Sequence, residues 1–169
     1  IQALKTGGII LADEVGLGKT IEAGLVLNYV LDNGAKKVLI SLPATLRKQW
    51  EVELLEKFGR QAVILDRYTV EHDLANVQTH LGNADEVSIV IASYDYSSKL
   101  IKRFPHVKWD FLIIDEAHNL RNVFHGTKRA KNLYDLTHGI PKILLTATPL
   151  QNSLTDLHGL VSFIDPRIF

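Results

Sequence analysis

Gly8-Ile9-Ile10-Leu11-Ala12-Asp13-Glu14-Val15-Gly16-Leu17-Gly18-Lys19-Thr20 decides the fold: an apolar strand runs straight into a glycine-rich turn that ends in Gly-Lys-Thr. The residue types read as a phosphate-binding loop, Asp13 to Thr20. Gly16 and Gly18 let the backbone wrap an anion with its N–H groups. Lys19 puts an ammonium between the outer phosphates, and Thr20 offers a hydroxyl to Mg²⁺. The helix that opens at Lys19 adds the positive end of its dipole. Asp13 stands where the usual pattern asks for glycine, so the loop departs from the strict motif.

A second site is spelled Phe111-Leu112-Ile113-Ile114-Asp115-Glu116-Ala117-His118, an apolar strand ending in two acids. Mg²⁺ keeps most of its waters and is held by one or two carboxylates plus phosphate oxygens, a duty that suits Asp115. Glu116, one residue on, can hold an attacking water as general base. Alone, such a pair after a strand is an ordinary solvated loop; together with a phosphate loop upstream it reads as a metal and water site. A third element, Lys142-Ile143-Leu144-Leu145-Thr146-Ala147-Thr148-Pro149, again runs a strand into small hydroxyl residues. Open α/β sheets bind ligands at the carboxyl ends of their strands, so one nucleotide with its magnesium can meet all three.

Strand candidates recur at Gly8–Ala12, Lys37–Leu42, Ala62–Leu65, Val87–Ala92, Phe111–Asp115 and Lys142–Thr146, too far apart for hairpins. Helical patterns lie between them. Leu46, Trp50, Leu54 and Phe58 make one apolar stripe, Val70, Leu74, Val77 and Leu81 another, and Leu154, Leu157, Val161 and Ile164 a last. All three read as core. The helix from Lys19 is apolar nearly all round, which predicts burial on most of its surface, and it stops at Asp32-Asn33-Gly34. Alternation of strands and helices predicts an α/β fold: a mainly parallel sheet with helices on both faces in three layers. Arg121–Thr127 reads as a mobile loop.

The chain has 169 residues, 46% of them apolar and 22% charged, which fits one globular domain with a real core. It has no run of the roughly 20 apolar residues a membrane helix needs, and no signal-peptide pattern at the start. With no Cys, thiolate metal sites and thiol nucleophiles are excluded, and an intracellular, reducing setting is expected. The seven His do not cluster at ligand spacing, which argues against a zinc site. The chain opens on Ile1 and contains no Met, so it reads as a piece of something longer. Formal charge is zero but uneven: residues 99–131 hold Lys99, Lys102, Arg103, Lys108, Arg121, Lys128, Arg129 and Lys131 against Asp110, Asp115 and Glu116. Such a stretch is either a solvated face or a phosphate-backbone contact.

Taken in order, Asp13–Thr20, Ile40–Trp50 (ISLPATLRKQW), Asp115–His118 and Leu145–Asn152 (LTATPLQN) resemble motifs I, Ia, II and III of the first RecA-like lobe in Swi/Snf-type ATPases, of the DEAD/DEAH-box helicase superfamily. The resemblance covers nearly the whole chain. It carries Asp13 where other loops have glycine, and the wording DEVGLGKTIEAG, with Val15, is similar to bacterial RapA-like members.

The resemblance implies a RecA-like P-loop NTPase fold and ATP with Mg²⁺ as ligands. It gives the β- and γ-phosphates to Lys19, magnesium to Thr20 and Asp115, and water activation to Glu116. It makes His118, Thr146 and Thr148 the link between the nucleotide and a nucleic-acid track, which is expected to be double-stranded DNA. Pro43, Ala44 and Thr45 would touch a phosphate backbone at a helix start, and Arg121, Lys128 and Arg129 are further candidates. A second RecA-like lobe of the parent chain would bring an arginine finger, and an adenine-reading Gln motif would precede Ile1. The family setting implied is cytoplasmic and nucleoid-associated in a bacterium or archaeon, with a protein complex as the object remodelled. An RNA helicase lobe and a non-catalytic nucleotide switch are the competing expectations. Against the switch, Lys19, Thr20, Asp115 and Glu116 are all present.

Overall fold

A computed structural model describes residues 7–12, 18–120, 128–148 and 154–165, with the side chains of 154–156 excepted. Its strands are β1 (Gly8–Ala12), β2 (Lys37–Leu42), β3 (Val63–Ile64), β4 (Ser88–Ser93), β5 (Phe111–Ile114) and β6 (Lys142–Thr146). Between and after them come α1 (Lys19–Asp32), α2 (Arg47–Phe58), α3 (Arg67–His72), α4 (Leu74–Gly82), α5 (Tyr94–Arg103), α6 (Lys128–Thr137) and α7 (Leu154–Ile164). Short 3₁₀ turns occupy Ala44–Leu46 and Ala117–Leu120.

The six strands form one parallel sheet in the order β1-β6-β5-β2-β4-β3. Its strands alternate between two buried faces, as a sheet covered on both sides must. Val38, Ile40, Leu42, Ile89, Ile91, Ile113, Ile143 and Leu145 pack with Ala23, Leu27, Trp50 and Leu54 of α1 and α2. Leu39, Val90, Leu112, Ile114 and Leu144 face the other way, toward Val70, Val77, Leu81, Leu100, Leu133 and Leu160. The expected three-layer α/β architecture is therefore present. Among the described residues no helix is long and apolar enough to cross a membrane.

Three of the six expected strands, β1, β2 and β6, have the expected limits, and β3 is shorter than its apolar run. The stripe from Val70 to Leu81 is two helices rather than one. Asp66 accepts the N–H of Thr69 at 3.0 Å and caps α3, and the backbone turns aside at Asp73 (φ −136°) before α4. The expectation that α1 is buried on most of its surface is also overturned: Ile21 is 46% and Leu25 61% exposed, and only Ala23, Gly24 and Leu27 are buried. α1 sits in an outer layer, with Ala23, Gly24 and Leu27 turned inward. A Cβ on Gly24 would stand 2.2 Å from the Phe58 ring, so the two helices α1 and α2 meet at a point where no side chain fits.

Helices of a parallel α/β fold run back against the strands, so their carbonyl ends collect at the edge where strands begin. Two buried lysines close that edge. Lys37, first in β2, donates from Nζ to the carbonyls of His80 and Glu86 at 2.9 Å each and to Ser88 Oγ at 2.7 Å. Lys142, first in β6, donates to the carbonyls of Thr137 at 2.7 Å and Phe163 at 2.9 Å, in the last turns of α6 and α7. An ammonium suits the negative end of a helix.

Burial nevertheless pulls the Lys142 amine down to about 8. From about pH 8 to pH 10 the unfolded chain then holds a proton that the folded chain has shed, so stability rises with pH across that window. Between about pH 7.5 and pH 10, denaturant titrations are expected to show the unaltered chain gaining about 2 kcal/mol relative to Lys142→Met. Parallel pH profiles for the two chains would refute this.

Candidate nucleotide site

At the carboxyl edge of the sheet a cleft of about 420 Å³ opens between α1, α2 and the end of β5. Gly18, Lys19, Thr20 and Ile21 line one side, Leu46, Gln49, Trp50, Glu53 and Lys57 another, and Asp115 and Glu116 the floor. The amine of Lys19 and the two acids, distant in sequence, thus share one concavity. β1 and β5 are not neighbours, however: β6 lies between them, with Ala12 in register with Thr146 and Ile114 with Leu144.

The cleft's first wall is a helix start. Gly18 caps α1 in the left-handed region (φ 93°), which favours glycine. Its carbonyl accepts the N–H groups of Ile21 and Glu22 at 2.8 and 3.1 Å, while the first N–H groups of a helix face outward along its axis, where an anion is welcome. Across from Thr20, the Glu53 carboxyl is held below its usual range: burial opposes this, but Gln49, Lys57 and Thr20 outweigh it. The Thr20 hydroxyl has lone pairs to offer a cation.

The floor is more tightly held. Asp115 is 7% exposed. Its Oδ2 accepts the indole N–H of Trp50 at 2.8 Å and its Oδ1 the backbone N–H of Glu116 at 2.8 Å. Burial pushes the Asp115 carboxyl up, against the pull of Trp50, the Glu116 N–H, Lys19 and His118. Glu116 takes a left-handed backbone (φ 50°), uncommon for a residue with a side chain and costly by about 1–3 kcal/mol. The surrounding bonds hold it there. The Tyr94 hydroxyl donates to the Asp115 carbonyl and lies 3.1 Å from that of Glu116, and Asn119 Nδ2 donates to the Glu116 carbonyl at 3.1 Å. Burial pushes the Tyr94 phenol up, which keeps that donor protonated. His118 Nδ1 lies 3.1 Å from Glu116 Oε2, close enough for an ion contact, at an angle that makes no full hydrogen bond.

Among the described residues no group of three or more His, Asp and Glu could cage a metal. The donor set is a different one: one buried carboxylate and one hydroxyl, facing a cleft of about 420 Å³. That fits Mg²⁺, which takes few protein oxygens and completes its shell with water and phosphate, and does not fit zinc.

Of the other residues singled out in the sequence, Thr146 ends β6 fully buried, and its Oγ1 accepts the N–H of Thr148 at 3.2 Å. Pro43, Ala44 and Thr45 form the turn that follows β2, with Ala44 and Thr45 exposed at the same sheet edge. Lys128 and Arg129 open α6; both are exposed, and Arg129 pairs with Asp95 at 2.7 Å. Asp13, Glu14, Val15, Gly16, Leu17 and Arg121 lie outside the described residues, as does all of Arg121–Thr127. Sequence reasoning passed over Trp50, counted as core, and Tyr94 and Glu53, which it did not weigh. The available signal for Trp50 was its N–H, which needs an acceptor when buried.

The chain has relatives among known proteins. The chain is 41% identical over 170 residues to the uncharacterized ATP-dependent helicase YqhH of Bacillus subtilis (strain 168), an alignment that takes in 95% of the chain and 26% of that protein. Its fold matches the Sulfolobus solfataricus SWI2/SNF2 ATPase core in complex with dsDNA, with a TM-score of 0.76 at 24% identity over 98% of the chain and 33% of that structure. The chain thus spans about a quarter of the one relative and a third of the other. The model of the SNF2-related domain matches residues 2–169, and on that end-to-end match this chain belongs to the family of SNF2-related domains.

Proposed function

We propose that residues 1–169 are the first RecA-like lobe of an ATP-driven DNA translocase of the Swi/Snf type, binding ATP·Mg²⁺ in the cleft at the carboxyl edge of the sheet. The observation that carries the reading is the meeting of Gly18, Lys19 and Thr20 with Asp115 and Glu116 in one concavity. The loop Asp13 to Thr20 wraps the phosphates, and Lys19 neutralises the β- and γ-phosphate oxygens. Thr20 and Asp115 hold Mg²⁺, which when bound offsets the charge of the phosphate oxygens during transfer. Glu116, its strained backbone held by Tyr94 and Asn119, orients the attacking water and takes its proton at a carboxylate oxygen. His118 sits against that carboxylate, and Thr146 and Thr148 sit at the end of the strand between loop and acids, so all three are placed to couple the nucleotide to the track.

The track is double-stranded DNA. Pro43, Ala44, Thr45, Lys128, Arg129 and Arg121 meet its phosphates, contacts that carry affinity without sequence preference. A structural relative in complex with dsDNA supports this over RNA. A second lobe of the same parent chain closes the cleft from the open side. The Val15 wording supports RapA-like kinship, and the YqhH match supports a bacterial setting.

Calorimetric titration of the chain with ATP and Mg²⁺ tests the reading. One binding site is expected, weakened about 10- to 100-fold in Lys19→Ala, the loss of one charge-assisted phosphate contact. Failure of the unaltered chain to bind, or equal binding by both, would end it.

A further inference from the structure

Trp50 is 2% exposed and packs with Leu54, Ile40 and Ile113 beneath α2, yet its indole edge reaches the cleft. Filling that core needs no polar atom; Phe or Leu would serve. The N–H that Trp50 brings is given to the one buried carboxylate of the cleft floor, Asp115 Oδ2, at 2.8 Å. With the Glu116 N–H on Oδ1, the carboxylate has one donor on each oxygen, and its plane is set. Each oxygen keeps a further lone pair. The peptide carrying the carboxylate is held as well, by the Tyr94 hydroxyl on the Asp115 carbonyl and by Asp115 N–H donating to the Ser41 carbonyl at 3.0 Å. Rotation about the side-chain bonds is the freedom left to Asp115, and the indole removes it.

Resting on the nucleotide reading above, we propose that Trp50 is the positioning residue of the metal-binding carboxylate, its indole N–H setting the orientation in which Asp115 receives Mg²⁺·nucleotide. The indole does not touch substrate chemistry. It acts through Asp115, and because it belongs to α2 it ties the floor of the cleft to the helix that begins after the Ala44–Leu46 turn.

The chain holds two tryptophans, and Trp109 precedes β5 at the opposite end of that strand from Asp115. Trp109→Phe therefore leaves one indole, in the site. In that chain, Mg²⁺ added to the ADP-bound protein is expected to change Trp50 emission. Two further chains remove the N–H: Trp50→Phe, and one with benzothienylalanine at position 50, which keeps the bicyclic shape and replaces the N–H by sulfur. ADP affinity is measured by calorimetry against Mg²⁺ concentration and again in excess EDTA, with thermal melting alongside. Both altered chains are expected to need about 10- to 100-fold more Mg²⁺ to tighten ADP binding, the usual loss when a partner that orients a metal ligand is removed. Their affinity in EDTA stays that of the unaltered chain, and the benzothienyl chain melts with it. An unchanged Mg²⁺ requirement in the benzothienyl chain overturns the inference while leaving the nucleotide site intact. So does an equal loss of ADP affinity with and without Mg²⁺, the mark of a packing role. Absence of ADP binding in the unaltered chain overturns the nucleotide reading itself, and this inference with it.

Discussion

Glu116→Gln, made in the full-length protein, is expected to lower ATP turnover by about 10²–10⁴-fold while leaving ATP affinity within about twofold. Gln keeps the length and shape of the side chain, so the contact with His118 and the left-handed turn at position 116 survive. What it loses is the ability to accept a proton from water. Since the carbonyls of Asp115 and Glu116 are held by Tyr94 and Asn119 rather than by the Glu116 carboxylate, the floor of the cleft should not rearrange. Steady-state hydrolysis and nucleotide affinity measured on the same preparations separate the effects. Turnover equal to that of the unaltered protein would remove Glu116 from its role.

The second large effect concerns the 169-residue chain by itself. Among the described residues the cations lining the cleft are Lys19 and Lys57, and no arginine lines it. The described residues of the cleft therefore offer the transferring phosphoryl group no guanidinium. In related NTPases an arginine supplied from outside the phosphate site is worth about 10³–10⁵ in rate, and the chain alone is expected to fall short of the full-length protein by that order. ATP hydrolysis with and without duplex DNA measures it. Robust DNA-stimulated turnover by the 169 residues would contradict the need for a second lobe.

Much of this arrangement is legible in the residues because the sheet is covered on both faces. β1, β2 and β6 are near-continuous apolar runs bounded by glycine, proline or charge, and such runs have one reading when they recur between helical patterns. The acid pair and the Gly-Lys-Thr sequence mark their own strand ends. What periodicity could not give was the identity of neighbours. α1 is apolar all round, but only the packing of Ala23, Gly24 and Leu27 decides that Ile21 and Leu25 face out. Val70 to Leu81 keeps helical spacing straight through Asp73, because the backbone turn there changes direction without changing which residues are apolar. Trp50 was taken for core, which it is by area; its N–H acts at a carboxylate sixty-five positions away. Tyr94 follows β4 and reaches the backbone beyond β5 across β2, a contact that exists only once the strand order is known.

That strand order has a mechanical corollary. Since β6 separates β1 from β5, the proposed triphosphate between Lys19 and Asp115 would bridge the tip of a third strand. Thr146 closes that strand, and its Oγ1 holds the backbone of Thr148 just past the tip, so the bridged strand carries its own latch.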